Sequence, residues 1–177
     1  MLIITIMKWI QMISKINLKL KKIRLVLTDV DGVLTDGGMY YTESGESMKK
    51  FNTRDSMGME LLLKHKIKTV FVTRENSKIV KQRVKKISIV DLYSGIFDKK
   101  KILTKILVKY NVKKNEIAYI GDDVNDIEIM KLVGFSASPS DGNVEVQKIS
   151  DYVCTSKGGE GAFREMADLI LKLIKSQ

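Results

Sequence analysis

At 177 residues the chain has the length of one ordinary domain, long enough to bury a substantial core. Hydrophobic residues make up 44% and charged residues 29%, with a single proline, a balance that excludes a disordered or fibrous chain. The formal charge of +10 comes mainly from lysines scattered along the sequence, with no basic stripe interleaved with aromatics, so no nucleic-acid partner is expected; such a surface can still steer an anionic substrate.

Residues 1–22, MLIITIMKWIQMISKINLKLKK, read as an N-terminal extension that is expected to be helical. Lys8 and Lys15 keep its uncharged runs far below the length of a membrane span. Neither a positive leader ahead of the apolar region nor a small-residue cleavage site is present. No membrane partner and a cytoplasmic location are therefore expected. The segment is either an amphipathic surface helix or partly a matter of start-site choice, since Met7 and Met12 are both plausible starts.

Residues 23–177 read as a single domain. From Ile23 onward, short apolar runs alternate with helix-periodic segments, the pattern of an α/β fold with a parallel sheet covered by helices. The first strand is expected over Ile23–Thr28. Gly38–Phe51, where MYYT and SMKKF flank ESGE, reads as a β-hairpin turning at Gly45. A helix over Met57–Lys66 leads to a strand at Thr69–Thr73, a helix at Ser77–Lys86, a strand at Val90–Tyr93 and a helix at Lys99–Tyr110. A strand at Ile117–Ile120, a helix at Val124–Val133, a strand at Phe135–Ala137 and a short strand near Tyr152 follow. The lone Cys154 has no internal disulfide partner and fits a reducing compartment. In the final helix, Ala162–Ile174, the residues Phe163, Met166, Ala167, Ile170 and Ile174 share one apolar face, which is expected to pack on the core.

The chemistry lies where strands end. The apolar run LVLT leads directly into Asp29, Val30, Asp31 and Gly32, and ligands of open α/β sheets bind beyond the carboxyl ends of the strands. Alternation lets Asp29 and Asp31 face one pocket while Gly32 turns the chain away. Paired carboxylates repel, and a hard cation such as Mg²⁺ removes that penalty while bridging carboxylate and phosphate oxygens. The run AYIGDDVNDIEIMK brings Asp122 to the same sheet edge, followed by Asp123, Asn125 and Asp126, each of which also has an ordinary reading as a helix cap. Thr73 ends KTVFVT and Lys99 follows GIFD; both suit phosphate oxygens, and both residue types are also common at such positions.

Taken in order, an Asp-x-Asp strand end, a Thr strand end, a Lys and a late acidic pair resemble the four motifs of the haloacid dehalogenase superfamily. That resemblance implies a Rossmann-like open parallel sheet with helices on both faces. It implies that Asp29 is a nucleophile forming an aspartyl-phosphate and that Asp31 is the general acid and then base. By the same resemblance Asp29, the Asp31 backbone carbonyl and Asp122 hold Mg²⁺, Asp123 and Asp126 support that shell, and Thr73 and Lys99 hold the phosphoryl group.

From Ile23 to Ile170, GVLTDGG, the hairpin, FNTRDSMGMELL and GGEGAFREMADLIL resemble the 3-deoxy-D-manno-octulosonate 8-phosphate phosphatase family and its relatives acting on nine-carbon sialic-acid-type sugars. That resemblance implies a capless domain whose hairpin follows the first strand, an anionic sugar-acid phosphate substrate and a homotetramer. Tyr40, Tyr41, Met48 and Phe51 would then be interface residues, although a hairpin lying on its own core is the plainer reading. Asn52, Thr53, Arg54, Asp55 and Ser56 would lie over the substrate, together with Arg83, Gly159 and Arg164, where a surface arginine or a helix-capping glycine is the alternative. One departure stands out: octulosonate enzymes commonly read Thr-Gly-Arg where this chain has Thr73, Arg74 and Glu75. Relatives acting on nonulosonate 9-phosphates carry Glu there with a Lys eleven residues on, as Glu75 and Lys86 do here.

Two rivals use similar parts. A phospho-acceptor receiver domain would need adjacent acids after its first strand, whereas these are spaced Asp-x-Asp. A non-catalytic oligomerisation module linked to sialate activation would have lost its acids, whereas Asp29, Asp31 and Asp122 are all retained.

Overall fold

The computed structural model describes Gln11 and residues 13–174. Residues 13–20 are helical; Leu20 is buried and Lys19 pairs with Asp151 at 2.5 Å, so this stretch is tied to the sheet domain. The rest of the expected N-terminal helix, residues 1–10 and Met12, lies outside the described residues.

After β1 (Leu25–Thr28) the chain forms a hairpin, β2 (Tyr40–Thr42) and β3 (Gly45–Met48), and then α1 (Thr53–Lys64), β4 (Lys68–Val72), α2 (Lys78–Ile87), β5 (Val90–Tyr93) and α3 (Lys99–Tyr110). It continues through β6 (Ile117–Ile120), a 3₁₀ turn at Val124–Asp126, α4 (Ile127–Met130), β7 (Phe135–Ser138), α5 (Val144–Ile149), β8 (Tyr152–Val153) and α6 (Ala162–Ile174). Six strands form one sheet in the order β5-β4-β1-β6-β7-β8, and every adjacent pair is parallel.

Both faces of the sheet are dry. All four residues of β1 are buried, and alternation divides them: Val26 joins Met59, Leu62, Val80, Phe163 and Ile170 under α1, α2 and α6. Leu25 and Leu27 join Ile102, Leu103, Ile106, Ile129 and Val146 under α3, α4 and α5. The expected architecture, an open parallel sheet helix-covered on both sides with a short hairpin after the first strand, is the one observed.

The boundaries move where side chains cap the backbone. Helix α1 begins at Thr53 rather than Met57 because Asn52 accepts a hydrogen bond from the Arg54 amide at 2.9 Å. The helix expected over Val124–Val133 is a 3₁₀ turn capped by Asp123 and Asp126 followed by four α-helical residues. Helix α5 was not expected; it starts on Asn143, whose side chain accepts from the Glu145 amide.

The chain runs from β1 outward to β4 and β5, then crosses back to β6, β7 and β8 on the other side. The carboxyl ends of β4, β1 and β6 therefore surround the point where strand order reverses, which is where an open α/β sheet leaves a crevice.

Candidate active site

Asp29 leaves the end of β1, its amide bonded to the Ile120 carbonyl of β6 and its Oδ1 accepting the Val30 amide at 2.7 Å. Its Oδ2 meets Lys99 Nζ at 2.6 Å, and the same ammonium reaches Asp126 Oδ1 at 2.6 Å. Lys99 opens α3, and its side chain is almost wholly enclosed. Burial alone would push this ammonium down, but Asp29 and Asp126 outweigh it and hold it above the usual lysine range.

Asp126 is fully buried and has a partner for each oxygen. Oδ1 accepts from Lys99 and from the Tyr119 hydroxyl at 2.6 Å, and Oδ2 accepts the Asp122 amide at 3.1 Å. It thereby orients the loop that carries Asp122. Gly32 lets that loop approach: its φ is +82°, and a Cβ there would sit 2.0 Å from Asp122 Oδ2.

One lysine does not balance three carboxylates. Burial, then Asp126, pushes Asp29 up to about 7, with Lys99 pulling the other way. Burial, then Asp29 and Asp126, pushes Asp122 up to about 8. Oxygens of Asp29, Asp122 and Asp126 all lie within 4.8 Å of one another. An oxygen-only, charge-deficient cluster of this kind fits a hard divalent cation such as Mg²⁺. Asp29 and Asp122 line the crevice, whereas fully buried Asp126 does not, so these two are the carboxylates that could hold it.

These groups open onto a cavity of about 300 Å³ lined by Asp29, Asp31, Gly32, Thr73, Arg74, Glu75, Asp122 and Asp123 among others. Thr73 is buried with its hydroxyl accepting the Glu75 amide at 3.2 Å. Asp123 caps the 3₁₀ turn through the Val124 amide at 2.8 Å. The structure thus brings Asp29, Asp31, Thr73, Glu75, Asp122 and Asp123 to one cavity, with Lys99 and Asp126 behind Asp29. The Arg74 guanidinium stacks over the exposed Phe97 ring at 5.1 Å, which accounts for its conformation at the cavity rim.

Within one chain, the other expected substrate contacts lie off this cavity. Asn52 caps α1 and donates to the Gly159 carbonyl at 3.4 Å. Thr53 and Arg54 are exposed, and Arg54 and Arg164 line a different cavity of about 570 Å³ with Tyr152 and Glu165. Arg164 Nε holds Asp168 at 2.8 Å, while its amide donates to buried Asp55, whose carboxyl burial pushes up to about 6. Arg83 donates to Ser56 Oγ at 2.6 Å and covers the Phe51 ring, which packs on the core instead of standing free for an interface. Lys86 is on the exposed face of α2. Arg83 Nε and Asp55 Oδ2 stay buried without a hydrogen-bond partner among the described residues, although neither residue lines the acidic cavity.

Sequence reasoning missed Lys49. Just past β3, between exposed Met48 and Lys50, it is buried with Nζ 2.6 Å from Asp31 Oδ1 and 2.9 Å from Glu46 Oε1. Those two carboxylates overcome burial and hold the ammonium above its usual range. In sequence it is one of two adjacent lysines; only the inside-outside alternation of a strand could have marked it, and that pattern does not say which lysine points in.

An acidic, cation-seeking crevice at the switch point of an open parallel sheet, with one carboxylate held on a buried lysine, defines a hydrolase of the phosphoryl-transfer type. The chain belongs to the family of haloacid dehalogenase-like hydrolases, whose model matches residues 39–166. It is 36% identical over 154 residues, covering 87% of this chain and 86% of the other, to a 3-deoxy-D-manno-octulosonate 8-phosphate phosphatase of Haemophilus influenzae. A haloacid dehalogenase superfamily hydrolase from Legionella pneumophila superposes with a TM-score of 0.92 at 30% identity, covering 96% of this chain and 93% of that one. The octulosonate phosphatase of Moraxella catarrhalis, solved with magnesium ion, phosphate ion and its sugar acid, superposes with a TM-score of 0.86 at 35% identity, covering 90% and 92%.

Proposed function

We propose that this phosphoric monoester hydrolase removes the terminal phosphate of a 3-deoxy-2-ulosonic acid phosphate, with 3-deoxy-D-manno-octulosonate 8-phosphate as the first candidate, through an aspartyl-phosphate on Asp29. The observation that carries the reading is the convergence of Asp29, Asp31, Thr73 and Asp122 on one cavity with Lys99 on Asp29. Similarity to the octulosonate phosphatases over most of both chains supports the sugar acid.

In this reading Asp29 Oδ attacks phosphorus while Asp31 gives a proton to the departing alkoxide; Asp31 then takes a proton from the water that releases phosphate. Thr73 and Lys99 orient the phosphoryl group and the nucleophile. Bound by Asp29, Asp122 and the Asp31 carbonyl, Mg²⁺ supplies the positive charge that lets carboxylates and phosphate share the crevice.

A nonulosonate 9-phosphate is the second reading, favoured by Glu75 in the cavity wall. A homotetramer is supported by the exposed apolar hairpin side chains Met39, Tyr40, Tyr41 and Met48, and in it Arg54 or Lys86 would serve a neighbouring site. No helix among the described residues is long and apolar enough to cross a membrane.

Phosphate release from the eight-carbon and nine-carbon esters, measured side by side with Mg²⁺, tests the proposal; release from neither refutes it. Asp29→Asn should abolish turnover and leave the light-scattering mass that of a tetramer.

A further inference from the structure

Asp31 has two unlike oxygens. Oδ1 takes the Lys49 ammonium at 2.6 Å and the Thr35 hydroxyl at 3.4 Å, while Oδ2 is shielded from solvent and has no hydrogen-bond partner among the described residues. The cation on Oδ1 is itself braced. Lys49 Nζ lies 2.9 Å from Glu46 Oε1 on β3, and Glu46 Oε2 accepts the hydroxyl of Ser77, the residue that caps α2. A line of charge-assisted hydrogen bonds thus runs from the start of α2 through the hairpin to the loop after β1.

The Lys49 side chain is 1% exposed and does not line the cavity, so it can act on the reaction only through Asp31. Enclosing an ammonium this fully is costly without partners, and two of the hairpin's neighbouring acids are committed to it.

We propose that Lys49 is a positioning residue: held by Glu46, it fixes the Asp31 carboxyl at the cavity edge for its part in proton transfer. The inference rests on the phosphatase reading above. As the Asp29–phosphorus bond forms and the ester P–O bond breaks, a proton moves from the Asp31 carboxyl to the ester oxygen and a neutral alcohol leaves. In the return step a water oxygen bonds to phosphorus, Asp31 takes the water proton, and the Asp29–phosphorus bond breaks to give phosphate and the free carboxylate.

The test uses leaving groups. An alkoxide needs the proton, whereas p-nitrophenolate leaves without it, and kcat/KM reports the step in which each departs. Lys49→Met should lower kcat/KM for the sugar-acid phosphate by about 10²-fold and for p-nitrophenyl phosphate by no more than about tenfold, with Asp31→Asn showing the same selectivity. Lys49→Arg, which keeps a cation on Oδ1, should retain more alkyl-ester activity than Lys49→Met. Glu46→Gln, which keeps Lys49 in place and guards against a misfolded Lys49 variant, should show the same preference with a smaller loss. Equal losses on both esters in folded Lys49→Met and Glu46→Gln, or no loss on either, would overturn the inference. A wild-type protein that hydrolyses neither ester with Mg²⁺ would instead sink the phosphatase reading, and the inference with it.

Discussion

Replacing Asp122 by Asn should make the metal-free protein more stable while removing its response to metal. Burial and the neighbouring Asp29 and Asp126 raise the Asp122 carboxyl from 3.8 to about 8. A raised acid means that the folded state holds a proton the unfolded chain has lost, so stability is intact below the unfolded value and falls as pH climbs towards about 8. At about 1.36 kcal/mol per pH unit, that amounts to about 5 kcal/mol at pH 8 and only about 2 kcal/mol at pH 5. Asn carries no such charge. In EDTA at pH 8, Asp122→Asn should therefore melt about 10 °C above wild type, with the gap narrowing at pH 5. Addition of Mg²⁺ should raise the wild-type midpoint and leave the variant unmoved, because a ligand stabilises only the state that binds it. Calorimetry of both proteins with and without Mg²⁺ at both pH values measures these midpoints. A variant that melts at or below wild type in EDTA at pH 8 would show that Asp122 is not a strained carboxylate waiting for a cation.

Lys99→Met should destabilise the protein by about 3 kcal/mol at pH 8 in urea titrations, because Asp29 and Asp126 lose the ammonium 2.6 Å from each; the loss should shrink towards pH 6 as Asp29, raised to about 7, takes up a proton. Gly32→Ala places a Cβ 2.0 Å from Asp122 Oδ2 at a φ of +82°, so it should cut phosphatase activity by well over tenfold, roughly the cost of an ångström-scale misplacement, while circular dichroism stays native. Inorganic phosphate, titrated by calorimetry, should bind the wild-type protein with Mg²⁺ present and give no heat in EDTA, and binding in EDTA would contradict the charge balance of the crevice.

The sheet was legible in sequence because a parallel strand buried on both faces has to be an unbroken apolar run. Ile117–Ile120, buried throughout, forms at its expected limits for that reason. The carboxylates were legible because they follow those runs directly. What escaped was decided by partners distant in sequence. Lys49 meets Asp31 across 18 residues, and nothing local separates it from Lys50. Arg83 and Ser56, both expected over the substrate from the family resemblance, bond to each other across 27 residues. An arginine that satisfies its own fold and one that awaits a ligand look alike in sequence; the difference is whether a partner stands within hydrogen-bond reach. Helix α5 escaped because its six residues are too few to show a period, leaving only the cap at Asn143 as a signal.

The arrangement of charge also orders events at the site. A chain of net charge +10 has an acidic centre: Asp29, Asp122 and Asp126 stand against the single ammonium of Lys99, while Lys49 is spent on Asp31 and Glu46. At separations of about 4 Å and an effective dielectric of about 20, each uncompensated pair of ionised groups costs about 4 kcal/mol, which disfavours a phosphate dianion in the bare crevice at a pH where Asp29 and Asp122 are ionised. Lysines on the outer surface can draw an anion towards the protein but cannot seat it beside Asp29. The local conflict that leaves Asp29 and Asp122 reluctant to ionise is what couples cation and phosphate. Each supplies the charge the other needs, and a site neutral on its own would bind neither so selectively.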